Sequence, residues 1–159
     1  MAQFQTFRMK GFEIANVLSQ FGNVYSSLQD IVSVDQIPTD PRELKLNSFL
    51  VINTIPSDQS SSYEMGHWFT LYHSTCGFEI FNSLGFSEAE KSMYLKFVPK
   101  DYFHVQTNVQ KLQSVTSQTC GLFCAYFAIT RSYDHLLSYG EYLNEYFTSG
   151  DFNPLAIKA

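Results

Sequence analysis

Four residues in this chain have side chains that together could carry out nucleophilic catalysis on a carbonyl group. Cys120 supplies a thiol and His67 an imidazole, while Asn82 and Gln113 supply side-chain amides. Cysteine catalysis needs a thiolate, a base that holds and returns a proton, a group that orients the base, and donors for the oxyanion. The sequence offers a candidate for each task, so the elements that carry these residues decide whether the chemistry is feasible.

Cys120 stands where a polar, turn-prone run changes abruptly into an apolar run. We expect Thr119 to cap a buried helix that starts here and ends at about Arg131, because a threonine hydroxyl can accept a backbone N–H of the first turn. A thiol at the positive end of a helix dipole ionises more readily, and the thiolate is the nucleophile. Gly121 removes bulk beside the sulfur. The alternative is that Cys120 is a small buried hydrophobic residue, as free cysteines usually are.

The segments that carry His67 and Asn82 have the pattern of two strands joined by a turn. His67 opens the aromatic and branched run 67–73, and Asn82 closes the run 77–82. Opposed residues of an antiparallel pair share a face, so this hairpin would bring the two side chains together at its open end. Each residue also has a structural alternative, since strand-end histidines are often merely hydrogen-bonded and asparagine favours turns.

Gln113 and Gln118 compete for the role of oxyanion donor. Gln113 lies seven residues before Cys120, and Gln118 lies two residues before it. Either amide could donate to a developing oxyanion together with the Cys120 backbone N–H. Gln113 could equally be an ordinary loop residue, so the residues alone leave this choice open.

The other cysteines and histidines have no clear place in such a site. Cys124 lies four residues after Cys120 on the same helix face, and we expect it in the core. Cys76 lies in the turn without an obvious partner. A metal site of Cys120, Cys124 and His67 would lack a fourth ligand, so we predict neither a metal nor a cofactor. The histidines without a paired nucleophile are His73, His104 and His135.

Length and composition favour a single domain, 1–159, with a packed core. Of the 159 residues, 45% are hydrophobic and 16% aromatic. The net charge of −5 and the absence of a basic cluster argue against DNA as a partner. No apolar run approaches the roughly 20 residues that span a bilayer, and the first residues lack a signal-peptide core. Three cysteines without disulfide spacing predict a reducing compartment and no secretion.

Helical and strand patterns alternate without a repeat along the rest of the chain. Apolar spacing and one capping-box pattern predict the helices, and runs of branched and aromatic residues predict the strands. The pattern favours the α+β class. The expected helices are 12–21, 87–98 and 135–147, the expected strands 48–53 and 102–107, and the expected loops 37–46 and 54–66, with 25–34 ambiguous between loop and strand.

Three motifs follow one another in a distinctive order: G-H-W at 66–68, F-E-I-F-N-S-L-G-F-S at 78–87, and L-Q-S-V-T-S-Q-T-C-G-L-F-C at 112–124. This order resembles the adenovirus-type maturation proteases, including those of Polinton-like transposons and virophages. They belong to the same clan as the proteases of ubiquitin-like proteins. The resemblance is strongest over about 48–129, and the stretch 33–38 also looks like the viral and transposon members.

The resemblance implies a papain-like, adenain-like domain with a central mixed sheet packed by helices and the nucleophile at a helix N-terminus. In that family the nucleophile corresponds to Cys120 and the general base to His67. The orienting residue corresponds to Asn82, where the adenovirus enzyme has glutamate and the ubiquitin-like-protein proteases have aspartate. The spacing of the adenovirus enzyme favours Gln113 over Gln118 as oxyanion donor. Trp68 corresponds to an aromatic neighbour of the base and is a candidate substrate contact.

The function that the resemblance implies is that of a cysteine endopeptidase that processes viral capsid or core precursor proteins in the infected cell and virion. The expected partner is thus a polypeptide substrate, and no membrane is expected as a partner. The adenovirus enzyme also bonds an activating peptide through a cysteine, and none of the three cysteines here obviously matches that one. Two alternatives stay open: a protease of ubiquitin-like modifiers, and a non-catalytic binding module of the same fold.

Overall fold

The protein has a five-stranded mixed sheet with helices packed against it. This computed structural model describes residues 10–59, 66–83, 98–100, 102, 105–108 and 120–147. The α+β prediction and the central mixed sheet are confirmed. The helices are α1 (Gly11–Ser19), α2 (Gly22–Ser27), α3 (Cys120–Tyr133) and α4 (Tyr139–Phe147), with 3-10 turns at Val34–Gln36 and Pro41–Glu43. The strands are β1 (Leu28–Ser33), β2 (Phe49–Asn53), β3 (Trp68–Ser74), β4 (Gly77–Phe81) and β5 (Gln106–Thr107).

The strands lie side by side in chain order, β1 to β5. β1 runs parallel to β2, β2 to β4 form an antiparallel meander, and β5 runs parallel to β4. All five residues of β2 are buried, which explains its continuous apolar run, because a central strand covered on both faces needs no polar alternation. His67 directly precedes β3 and Asn82 directly follows β4, so both candidate residues adjoin interior strands of the sheet.

The two faces of the sheet contribute to two separate apolar clusters. Alternate side chains along a strand point to opposite faces, so one set meets α1, α3 and α4 and the other set meets the loops across the sheet. The helical face carries Phe49, Val51, Trp68, Tyr72 and Phe81, and the opposite face carries Leu50, Ile52, Phe69, Leu71 and Ile80.

A buried ion pair fastens α3 to β4. Arg131 Nε and Nη2 donate to the two carboxylate oxygens of Glu79, each at 2.9 Å, and both side chains are 1% exposed. The same guanidinium donates to the backbone oxygens of Asp134 and Leu137 and lies 5.0 Å from the ring centre of Tyr142. Burial alone would lower the pKa of Arg131, but the hydrogen bonds and charge of Glu79 outweigh it and raise that pKa. The pair fixes how α3 sits against the sheet.

The last helix begins four residues later than the apolar spacing predicts. Ser138 and Glu141 form reciprocal bonds at its start, in which Ser138 Oγ accepts from Glu141 N and Glu141 Oε1 accepts from Ser138 N, both at 3.2 Å. This is a capping box, which favours a helix start at Tyr139 over one at His135.

Several other expected elements differ in extent or fall outside the described residues. The predicted first helix, 12–21, corresponds to α1, which ends two residues earlier, and α2 then begins at Gly22, where no helix was predicted. The segment 25–34 contains the end of α2 and all of β1. The loop 37–46 contains a 3-10 turn and the fully buried Leu44. The predicted helix 87–98 lies outside the described residues except for its last residue, and within 102–107 the described strand is limited to β5.

Candidate active site

The β3–β4 hairpin brings His67 and Asn82 together at its open end, as predicted. Ser74 pairs with Gly77, and this register places Thr70 opposite Phe81. His67 directly precedes β3 and Asn82 directly follows β4, so the register sets them diagonally across the pair. Diagonal neighbours on one face are within reach of long side chains.

The side chains of His67 and Asn82 make a short hydrogen bond. His67 Nε2 lies 2.5 Å from Asn82 Oδ1. Because a carbonyl oxygen only accepts, this contact places a proton on Nε2, and Nδ1 is then the ring nitrogen that can take up another proton. Asn82 is fully buried, whereas His67 is half-buried. The arrangement is that of a fixed acceptor behind a base that remains accessible.

The backbone at His67 is tightly constrained. His67 N donates to Thr54 Oγ1 at 3.0 Å, and Thr54 N donates to the His67 carbonyl at 3.0 Å. A Cβ added to Gly66 would collide with Asn53 Oδ1 and lie 2.6 Å from Ile55 Cγ1. Glycine at this position is therefore required by the close approach of the β2 end, and the imidazole is aimed from a rigid backbone.

Cys120 lies beside the residue that follows the histidine. The backbone N–H of Trp68 donates to Cys120 Sγ at 3.4 Å, and Cys120 is 4% exposed. A hydrogen bond to sulfur is stronger when the sulfur is anionic, so this donor favours the thiolate. The helix predicted from Cys120 is confirmed over Cys120–Tyr133, whereas its predicted cap, Thr119, lies outside the described residues.

The indole of Trp68 lies in the core. It is 1% exposed and belongs to the cluster between the sheet and the helices, and a Cβ added to Gly11 of α1 would lie 3.7 Å from Trp68 Cη2. These contacts support a packing role for the ring. The Trp68 group that donates to Cys120 Sγ is its main-chain N–H.

The other two cysteines occupy different surroundings. Cys124 is 1% exposed in the helical core, as expected, and burial raises the pKa of its thiol well above the usual value. Cys76 is exposed in the turn between β3 and β4. A neutral, buried Cys124 is a poor nucleophile, so Cys120 remains the candidate that chemistry favours.

A further asparagine, Asn108, meets Asn82 and was not predicted from the sequence. Asn108 Oδ1 accepts from Asn82 N at 2.8 Å, and Asn108 Nδ2 donates to Asn82 O at 2.7 Å. Its position just after a short strand run is the one available sequence signal, and that signal does not reveal a partner 26 residues away. The candidate oxyanion donors Gln113 and Gln118 lie outside the described residues, so their roles stay predictions.

No family model matched the chain, and no curated protein matched it either. Within the described ranges, no three His, Cys, Asp or Glu side chains are grouped so that they could hold a metal ion. None of the described helices is both long and apolar enough to cross a membrane. Support for a function therefore comes from the motif order and from the geometry around Cys120.

Proposed function

We propose that this protein is a cysteine endopeptidase of the adenovirus maturation type, in which Cys120 is the nucleophile, His67 the general base and Asn82 its orienting residue. The observation that carries the proposal is a pair of contacts from consecutive residues. His67 Nε2 meets Asn82 Oδ1, and the next residue, Trp68, donates its N–H to Cys120 Sγ. Two consecutive residues at the start of β3 thus contact both the amide of Asn82 and the thiol of Cys120.

The reaction would use these groups in the order that thiol proteolysis requires. Cys120 transfers its proton to His67, and the thiolate attacks the peptide carbonyl carbon. His67 then gives the proton to the departing amine, which leaves a thioester on Cys120 that water hydrolyses with the same imidazole as base. The hydrogen bond to Asn82 Oδ1 keeps a proton on His67 Nε2 throughout, so that Nδ1 remains the nitrogen that exchanges protons. As a neutral amide it orients the imidazolium without adding a negative charge.

The proposed oxyanion donors are the Cys120 backbone N–H and the side chain of Gln113. The support for Gln113 is the seven-residue spacing to Cys120 that it shares with the adenovirus enzyme. We expect Gln113→Ala to lower kcat about 10²–10³-fold with little change in KM, because one lost oxyanion donor typically costs that much. Gln118→Ala is the matched control and should lower kcat less than about tenfold. The opposite ranking of the two variants would assign the role to Gln118.

The proposed substrates are capsid or core precursor proteins of a virus, virophage or viral-type transposon, cleaved next to small residues such as glycine or alanine. The motif order and the family resemblance support this substrate class. The same resemblance leaves an activating peptide as a further partner. The net charge of −5 gives no support for activation by DNA.

Cleavage of a substrate panel by purified protein tests the proposal. The panel contains precursor-derived peptides with glycine or alanine at the cleavage site, together with ubiquitin-like fusion proteins. We expect the wild type to cleave the peptides and Cys120→Ala to be inactive while still folded. Cleavage confined to the ubiquitin-like fusions would favour the modifier protease, and no cleavage of either class would favour the binding module. Unchanged cleavage by Cys120→Ala would refute the assigned nucleophile.

A further inference from the structure

The side chain of Asn108 binds the main chain of Asn82 with both ends of its amide. Its oxygen accepts from the Asn82 N–H at 2.8 Å, and its nitrogen donates to the Asn82 carbonyl at 2.7 Å. Asn108 is 1% exposed and Asn82 is fully buried. Because both bonds are shielded from water, they hold the main chain on either side of the Asn82 Cα more firmly than exposed bonds would.

The location of this contact explains why an asparagine is suited to it. β4 and β5 pair in parallel through Glu79 with Gln106 and Ile80 with Thr107, and the described strand β5 ends there. Asn108 is the next residue, and its side-chain amide has the same donor and acceptor groups as a backbone peptide. It therefore extends the pairing to Asn82, the residue that follows β4.

We propose that Asn108 is a positioning residue, which holds the main chain of Asn82 so that Asn82 Oδ1 meets His67 Nε2. This inference rests on the proposed function for its kinetic consequence, but its geometric consequence at His67 is independent of any substrate. The sequence of contacts runs from Asn108 to the Asn82 backbone and from the Asn82 side chain to the imidazole. Loss of Asn108 should affect the orientation of the base more than the binding of substrate.

The kinetic test compares Asn108→Ala with Ser74→Ala. Ser74 is a matched control because its buried hydroxyl also bonds two main-chain groups of the same hairpin, donating to Gly77 O at 3.0 Å and accepting from Cys76 N at 3.2 Å, but at the end away from His67. We expect Asn108→Ala to lower kcat about tenfold to a hundredfold with KM within about twofold, since small displacements of catalytic groups cost that much. Ser74→Ala should keep the wild-type kcat.

Hydrogen exchange of the His67 Nε2 proton, followed by NMR, gives a readout that needs no substrate. We expect exchange at least ~tenfold faster in Asn108→Ala than in the wild type and unchanged in Ser74→Ala. If Asn108→Ala does not fold, Asn108→Asp serves instead, because it keeps the acceptor for Asn82 N–H and loses the donor to Asn82 O. Faster exchange in a protein that cleaves nothing would support the positioning role and refute the proposed function. Wild-type exchange and wild-type kcat in a folded Asn108 variant would overturn the inference.

Discussion

At the scale of single residues, the contact between Asn82 and His67 determines which ring nitrogen can exchange a proton. Asn82 presents a neutral acceptor in full burial, 2.5 Å from Nε2. A buried carboxylate at the same place would hold an imidazolium by charge, but its own desolvation would offset part of that gain. The amide therefore contributes orientation more than electrostatic attraction, and this sets the expected ranking of variants.

We expect His67→Ala to be nearly inactive, Asn82→Ala to be impaired but measurable, and Asn82→Asp to retain activity. The base takes part in every proton transfer and contributes about 10²–10⁴-fold, whereas the orienting residue contributes geometry alone. Steady-state kcat and KM for each folded variant provide the measurement. Wild-type kcat in Asn82→Ala would show that another residue orients the imidazole.

The contact between His67 and Asn82 was the part of the site that the sequence predicted best. The types and spacing of Cys120, His67 and Asn82 were sufficient to place the last two in contact, because a hairpin with a tight turn has few registers. The thiol contact of Trp68 could not be predicted, since it comes from a main-chain N–H that every residue but proline carries. The role of Asn108 depends on a tertiary contact that no local pattern encodes.

At the scale of elements, the Glu79–Arg131 pair connects β4, the strand before Asn82, to α3, the helix that carries Cys120. Both side chains are 1% exposed, so neither charge can be solvated if the other is removed. Glu79 lies in the same motif as Asn82 and could be mistaken for the orienting residue from sequence alone. Its contacts assign it a structural role instead.

We expect Glu79→Gln to lower the free energy of unfolding by about 3–5 kcal/mol, because it leaves the Arg131 charge buried without a counter-charge. Urea unfolding provides the measurement. The exposed pair of Arg42 and Asp40 offers the control, and Arg42→Ala should change stability little, since solvent already screens that pair. A stable Glu79→Gln with a larger loss of kcat than Asn82→Ala would identify Glu79 as the orienting residue.

Element boundaries were predicted well where one physical signal dominated. The buried strands β2, β3 and β4 follow continuous apolar and aromatic runs, and their positions were predicted within about a residue. The sequence pattern of β1 was ambiguous between loop and strand because its first residues are only partly buried. In the structure it is a strand that pairs in parallel with β2. α4 was predicted too early because helical spacing begins before the capping box at Ser138 that starts the helix.

At the scale of the whole molecule, the core contains several buried tyrosines whose ionisation is made harder by burial. Burial raises the pKa of Tyr72 to about 12, and it raises the pKa values of Tyr139 and Tyr142 well above the usual 10.0. In the unfolded chain these groups lose protons at a lower pH than in the folded chain. Folding is therefore disfavoured at those pH values at which these tyrosines are ionised in the unfolded chain but still protonated in the folded chain.

We expect the free energy of unfolding to lose this tyrosine contribution progressively between about pH 10 and pH 12. The contribution is complete below pH 10, where both states are protonated, and it disappears as pH rises through the folded-state pKa of about 12 for Tyr72. Urea titrations at several alkaline pH values measure the slope. Tyr72→Phe should show a shallower slope than the wild type, and equal slopes would contradict the burial argument.

In the proposed mechanism Cys120 forms a covalent bond to the carbonyl carbon of a peptide, with His67 as its base. The test is to incubate the protein with a peptide that ends in a glycine-derived electrophile and to locate the adduct by intact mass measurement and peptide mapping. We predict a single adduct on Cys120 in the wild type and in Ser74→Ala, with labelling at least about a hundredfold slower in His67→Ala. An adduct on the exposed Cys76 instead, or labelling of Cys120 that does not depend on His67, would show that Cys120 is not a nucleophile activated by His67.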